Sequence, residues 1–198
     1  MTTDYRSHWR IFYAIELPEA LRSRVGEHFK RLRESFPQTR ASWEKPEKIH
    51  VTLKFIGEVE IPRVEELSCA AGRAAATVEP FELTISKPGT FPPHGQPRVL
   101  WLGVEDVSGQ LSKLQRSLED EAARAGFQRE QRPFKPHLTV ARLRSPHGAR
   151  ELAAAHLEAG FESQTFNVSE LVVMRSELGR GGSSYKAVSR KPLSGGTT

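Results

Sequence analysis

The sequence predicts a mixed fold in which strands and helices alternate and the two halves of the chain repeat one plan. Three observations lead there. A length of 198 residues suits one domain, or one domain of two sub-lobes. The apolar pattern switches repeatedly between period two, which marks strands, and period 3.6, which marks helices. A near-identical tetrapeptide also occurs once in each half, His50-Val51-Thr52-Leu53 and His137-Leu138-Thr139-Val140, each on a strand preceded by an apolar strand and a helix.

Arg10 to Leu17 reads as the first strand rather than a leader, because Glu16 interrupts the apolar run and Pro18 follows it. Pro18 suits a helix start, and apolar residues at 21, 25, 29 and 32 stripe a helix over Ala20 to Leu32 that stops before Phe36-Pro37. Ile49 to Gly57 is the second strand, Pro62 to Ala76 a helix and Phe81 to Ser86 the third strand. Residues 87 to 98, KPGTFPPHGQPR, read as a Pro/Gly loop. Val99 to Val104 is a strand, and residues 111, 114, 118 and 122 stripe a helix over Ser108 to Ala125. His137 to Leu143 is a strand and Pro146 to Leu157 a helix. Thr165 to Val168, Leu171 to Ser176 and Tyr185 to Ser189 close the fold, the last two joined by a flexible GRGGSS turn, and residues 192 to 198 are expected to fray.

Composition narrows the function classes. With 37% hydrophobic and 27% charged residues the chain is neither a disordered polyelectrolyte nor a low-complexity polymer. The net charge of +5 comes from 29 Lys and Arg against 24 Asp and Glu, which favours polyanion partners without requiring them. Arginine supplies 20 of the 29 cations, which fits either a genome-wide bias or selection for phosphate binding. The single cysteine, Cys69, excludes an intrachain disulfide and a zinc site built from several thiolates, and it is expected as a packed helix position. No stretch approaches the roughly 18 apolar residues of a membrane span. A cytoplasmic monomer with no membrane partner is the expectation.

On a strand, residues i and i+2 share a face. His50 therefore lies beside Thr52 and His137 beside Thr139, while Val51, Leu53, Leu138 and Val140 anchor the opposite faces in the core. If the two halves face each other across a cleft, two imidazoles and two hydroxyls meet one small ligand. A neutral histidine serves as general base and a protonated one as general acid, because the ordinary pKa near 6.5 lets both forms exist at neutrality. The threonine hydroxyls donate to non-bridging oxygens as charge builds on them. This describes a phosphodiester site, but the two motifs are chemically symmetric, so the residues alone leave acid and base unassigned. Neither tetrapeptide holds an Asp, Glu or Cys to complete a metal set, so neither metal nor cofactor is expected. His8, His28, His94, His147 and His156 lie in other contexts and are expected at the surface.

The segments RIFYAIELP, HVTLKFIGEV, PFELTISKPGTFP, PRVLWLGV, FKPHLTVARL and SELVVMRSELGRGGSSY, in that order, resemble the successive blocks of the 2H phosphoesterase superfamily, specifically its RNA 2',3'-cyclic phosphodiesterases, formerly called 2'-5' RNA ligases. The resemblance covers nearly the whole chain. It implies a bilobal α+β fold, two pseudo-symmetric antiparallel sheets facing a central cleft with helices outside. It further implies metal-independent hydrolysis of an RNA 2',3'-cyclic phosphate end to a 2'-phosphomonoester. His50 would be the proton donor to the 3' oxygen and His137 the proton acceptor that activates water, with Thr52 and Thr139 holding the phosphate. Ligation as the reverse reaction at the same site, action on small cyclic nucleotides, and an RNA-end binding module without chemistry are the competing readings.

Arg142 matches a phosphate-contacting position of that family, yet strict alternation from His137 puts it on the wrong face, so a bulge or the strand's end must re-aim it. Lys54 has the parity to join His50 and Thr52, either as a phosphate-side cation or as a solvated charge at the rim. Residues 87 to 98 and 179 to 184 are candidate RNA-embracing loops, and Phe91, Trp43 and Tyr185 candidate base-stacking or packing aromatics.

Overall fold

The computed structural model describes residues 7–179 and 182–195. Among these, nine strands and four α-helices follow in the order β1 (His8–Glu16), α1 (Glu19–Ser35), β2 (Ala41–Trp43), β3 (His50–Glu60), α2 (Val64–Ala75), β4 (Phe81–Phe91), β5 (Val99–Glu105), α3 (Gln110–Arg124), β6 (His137–Leu143), α4 (Ala149–Ala159), β7 (Gln164–Val168), β8 (Glu170–Gly179) and β9 (Gly182–Pro192). They form two antiparallel sheets, β3-β1-β8-β9 and β2-β6-β5-β4-β7. Helices α2 and α3 pack together behind the first sheet, and α4, with α1 beside it, behind the second.

Helix faces and strand alternation explain this layering. Leu21, Val25, Phe29 and Leu32 of α1 and Leu111, Leu114, Leu118 and Ala122 of α3 are buried as one stripe per helix. On β1, Ile11, Tyr13 and Ile15 point into the main core, while Phe12 and Ala14 join Val172 and Met174 in a separate cluster on the other face, with Tyr185 packed against it. The main core runs unbroken through both sheets, with Val51 and Leu53 of one motif strand and Leu138 and Val140 of the other all buried in it. About 25 cal/mol per Å² of apolar surface removed from water makes this shared core the principal source of stability.

Several sequence expectations are corrected. Strand β4 continues through Lys87-Pro88-Gly89-Thr90 to Phe91, so only residues 92–98 form the loop. Proline is accommodated because the pairing register slips between Ile85 and Pro88, and glycine is needed at 89 because a Cβ there would overlap the Trp101 indole. At the 179–184 turn, Gly179 pairs directly with Gly182, while Arg180 and Gly181 lie outside the described residues. In the segment expected to fray, Leu193 is buried, its N–H donates to the Ser169 carbonyl, and the Gly195 N–H donates to that of Val78. Residues 196–198 lie outside the described residues. Cys69 is exposed on α2, whose packed positions are taken by Leu67, Ala70, Ala71 and Ala74. His28 and His156, expected at the surface, are buried and bonded to each other, Nε2 to Nδ1 at 3.1 Å, because α1 and α4 meet there.

Candidate active site

The motif strands β3 and β6 carry one backbone device twice. Opposite β3, Ala14 pairs with Thr52 and Tyr13 with Lys54, so Leu53 is an extra residue with no partner. Opposite β6, Leu100 pairs with Ala141 and Trp101 with Thr139, so Val140 is the extra residue. A bulge of this kind inverts the alternation beyond it. After His and Thr, the next cleft-facing residue is therefore three positions past the threonine: Phe55 on β3 and Arg142 on β6. The bulge required to re-aim Arg142 is present. The same device keeps Lys54 out of the phosphate pocket, because it turns inward, 4% exposed, and forms an ion pair with Glu119 at 2.7 Å while donating to the Gln128 carbonyl.

His50, Thr52, His137, Thr139 and Arg142 all line one pocket, together with Glu44, Lys48, Ile49, Phe55 and Tyr185. Its volume is about 100 Å³, the scale of a phosphate group, and a cavity of about 530 Å³ adjoins it, sharing Thr52, Phe55 and His137. Phe91 and Tyr185 stand at the site and Trp43 packs against Phe29 instead. Sequence reasoning missed Glu44, Lys48 and Phe55. For Phe55 the signal was hidden by the bulge.

Each histidine is oriented the same way. Nδ1 of His50 lies 2.7 Å from the Lys48 carbonyl, and Nδ1 of His137 lies 2.7 Å from that of Lys135. A carbonyl only accepts, so Nδ1 carries the proton in both rings and Nε2 is the nitrogen left for chemistry. Each ring is also wedged by two aromatics. Phe12 and Tyr185 sit 4.9 and 5.0 Å from His50, and Phe91 and Trp101 sit 5.1 and 6.4 Å from His137. Among the described residues, neither threonine hydroxyl is engaged by another side chain or backbone group.

The electrostatics break this symmetry. Burial pulls both histidines below the ordinary range, and the bonds to the Lys48 and Lys135 carbonyls oppose it. For His50 the nearby Glu16 carboxylate, directly across the strand pair, also pushes upward, whereas for His137 the Arg142 guanidinium pushes further down. Burial holds the Glu44 carboxyl above its usual range, against the opposing pull of Arg142, Lys48 and Arg144. The Lys48 ammonium donates to the Ser183 carbonyl, linking the pocket wall to the start of β9.

Two antiparallel sheets, each giving one His-x-Thr strand to a shared phosphate-sized pocket, define a 2H phosphoesterase. The chain belongs to the 2'-5' RNA ligase superfamily, whose profile matches residues 18–180, and it is an enzyme of that family. A Methanothermobacter thermautotrophicus protein named RNA 2',3'-cyclic phosphodiesterase is 37% identical over 177 residues, covering 89% of this chain and 94% of the relative. Among solved structures, a Thermus thermophilus protein superposes with TM-score 0.78 at 26% identity, over 94% of this chain and 98% of the other. Escherichia coli LigT complexed with 3'-AMP superposes with TM-score 0.73 at 28% identity, again over 94% and 98%.

Proposed function

We propose that the chain hydrolyses RNA 2',3'-cyclic phosphate ends to 2'-phosphomonoesters by metal-independent acid and base catalysis at His50 and His137. The observation that carries this reading is the pair of Nδ1-to-carbonyl bonds, which leaves one Nε2 from each motif for one phosphate-sized pocket. His137 Nε2 takes a proton from water as its oxygen attacks phosphorus. His50 Nε2–H gives a proton to the 3' oxygen as the P–O3' bond breaks, leaving the phosphate on the 2' oxygen. Exchange with solvent then restores both rings. This direction fits the surroundings, since Glu16 favours the protonated form of His50 and Arg142 the neutral form of His137. Thr52, Thr139 and Arg142 hold the non-bridging oxygens and meet the charge that grows on them. The RNA-cyclic-phosphodiesterase names of the relatives support the substrate assignment.

The test is an oligoribonucleotide ending in a 2',3'-cyclic phosphate, incubated with and without EDTA. A 2'-phosphate product at the same rate in both is the expected result. A 3'-phosphate product, or loss of turnover in EDTA, overturns the proposal.

A further inference from the structure

Glu44 has no part in the acid and base chemistry, yet it lines the phosphate-sized pocket with Lys48, Arg142 and both motif histidines. A carboxylate repels the anion such a pocket is built to hold, so its position there calls for a reason. The backbone aims it. Strand β2 pairs Ser42 with Arg142 and Trp43 with Ala141. The Glu44 N–H carries that ladder one step further, donating at 3.0 Å to the carbonyl of Val140, the extra residue of the β6 bulge. Residues directly opposite share a face, as do residues i and i+2, so Ser42 and Glu44 both lie on the face of Arg142. Among the described residues the half-buried Glu44 side chain makes no hydrogen bond and no contact ion pair, and Arg142, Lys48 and Arg144 act on it only across space. Its charge is therefore felt by whatever fills the pocket.

Ring opening changes the charge of the ligand. A cyclic phosphodiester carries one negative charge, whereas the monoester it becomes gains a second, because the second ionisation of a phosphomonoester lies near pH 6. Lys48 and Arg142 alone would hold the product more tightly than the substrate, and the product would block the site. Glu44 takes away one of the two positive charges those side chains bring to the lining. Coulomb energy scales with the charge of the ligand, so the carboxylate penalises a dianion about twice as strongly, in free energy, as a monoanion.

We infer that Glu44 is a specificity-determining residue that matches the pocket to the cyclic phosphate monoanion and disfavours the ring-opened phosphomonoester dianion. The inference rests on the phosphodiesterase reading of the site and adds the group that keeps product from occupying it. A residue that merely steadied Arg142 would have the opposite signature, since its loss would weaken the binding of both ligands.

The experiment compares the wild type, E44Q and E44D at about pH 8, where the monoester is a dianion. It measures KM for adenosine 2',3'-cyclic phosphate and the competitive inhibition constant of adenosine 2'-phosphate, with calorimetric titration of the latter as a check that needs no turnover. E44Q, of the same shape without the charge, is expected to bind adenosine 2'-phosphate about tenfold more tightly and to lower KM by only about threefold, so the ratio of the two constants falls about threefold. E44D keeps the charge and holds that ratio within about twofold of the wild type. Unchanged or weaker binding of adenosine 2'-phosphate by E44Q, or an equal fall in both constants, overturns the inference while leaving the phosphodiesterase reading intact. No turnover of the cyclic phosphate by the wild type overturns both.

Discussion

The two motif strands are the instructive comparison, because they share a backbone and differ in what surrounds it. On β3 and on β6 a histidine donates Nδ1–H to the carbonyl two residues earlier, two aromatics wedge its ring, and a bulge follows the threonine. Yet the position the bulge brings into the cleft is Phe55 in one half and Arg142 in the other, and the charge nearest the imidazole is Glu16 in one and Arg142 in the other. The shared geometry makes both histidines able to transfer a proton at Nε2. The unshared neighbours bias which way each transfers it.

The comparison breaks most severely when either ring is removed. His50→Ala and His137→Ala are each expected to lower single-turnover rates on a cyclic-phosphate oligomer by about a hundredfold to ten-thousandfold, with the double variant little worse than either single one. Wild-type rates in either variant would remove that histidine from the chemistry.

The neighbours come next, and their effects should be opposite in sign. Arg142→Ala removes the proposed phosphate ligand, a change expected to cost roughly tenfold to a hundredfold in kcat/KM. It also removes the cation that disfavours the His137 imidazolium. The pKa of His137 then rises, and the acidic limb of the pH profile, where the base must be neutral, moves to higher pH. Glu16→Gln removes the anion that favours the His50 imidazolium. Its pKa falls, and the alkaline limb, where the acid must be protonated, moves to lower pH. Arg190 does not become an orphan, because it also pairs with Glu170. Measured pH profiles of kcat/KM should therefore narrow from opposite sides in the two variants. Movement of the same limb in both would reverse or erase the proposed division of roles.

Much of this is legible in the amino-acid sequence alone. Strand β6 runs from His137 to Leu143 as its alternation predicts, and the apolar stripes of α1 and α3 are the buried faces. The pairing of the two tetrapeptides locates the pocket. What stays hidden depends on cross-strand partners. A bulge is set by which residues oppose Leu53 and Val140 on β1 and β5, so a strict period of two puts Lys54 in the cleft and Phe55 outside it. Glu16, whose charge distinguishes His50, belongs to a different strand from its motif. Strand β2 is three residues long and too short to show any period, and the burial of His28 comes from α4, far along the chain.

The same comparison yields a last and subtler test at the residue just past each bulge. On β6 that residue is Ala141, fully buried, and on β3 it is Lys54, whose side chain is 2% exposed and paired with Glu119 at 10%. An apolar residue thus satisfies one copy of the device, which implies that the ion pair in the other is not needed for the bulge to form. Lys54→Met alone leaves the Glu119 carboxylate buried without its cation, and unfolding stability should fall by about 3 to 5 kcal/mol. Lys54→Met with Glu119→Leu removes both charges. The Glu130 N–H that Glu119 accepts lies on an exposed residue and finds water instead. Stability of the double variant should then return to within about 1 to 2 kcal/mol of the wild type, with turnover held within about threefold because neither residue lines the phosphate pocket. Denaturation midpoints and kcat measured on both variants decide it. A double variant as unstable as the single one would mean that β3, unlike β6, needs its buried pair to hold the bulge that presents Phe55.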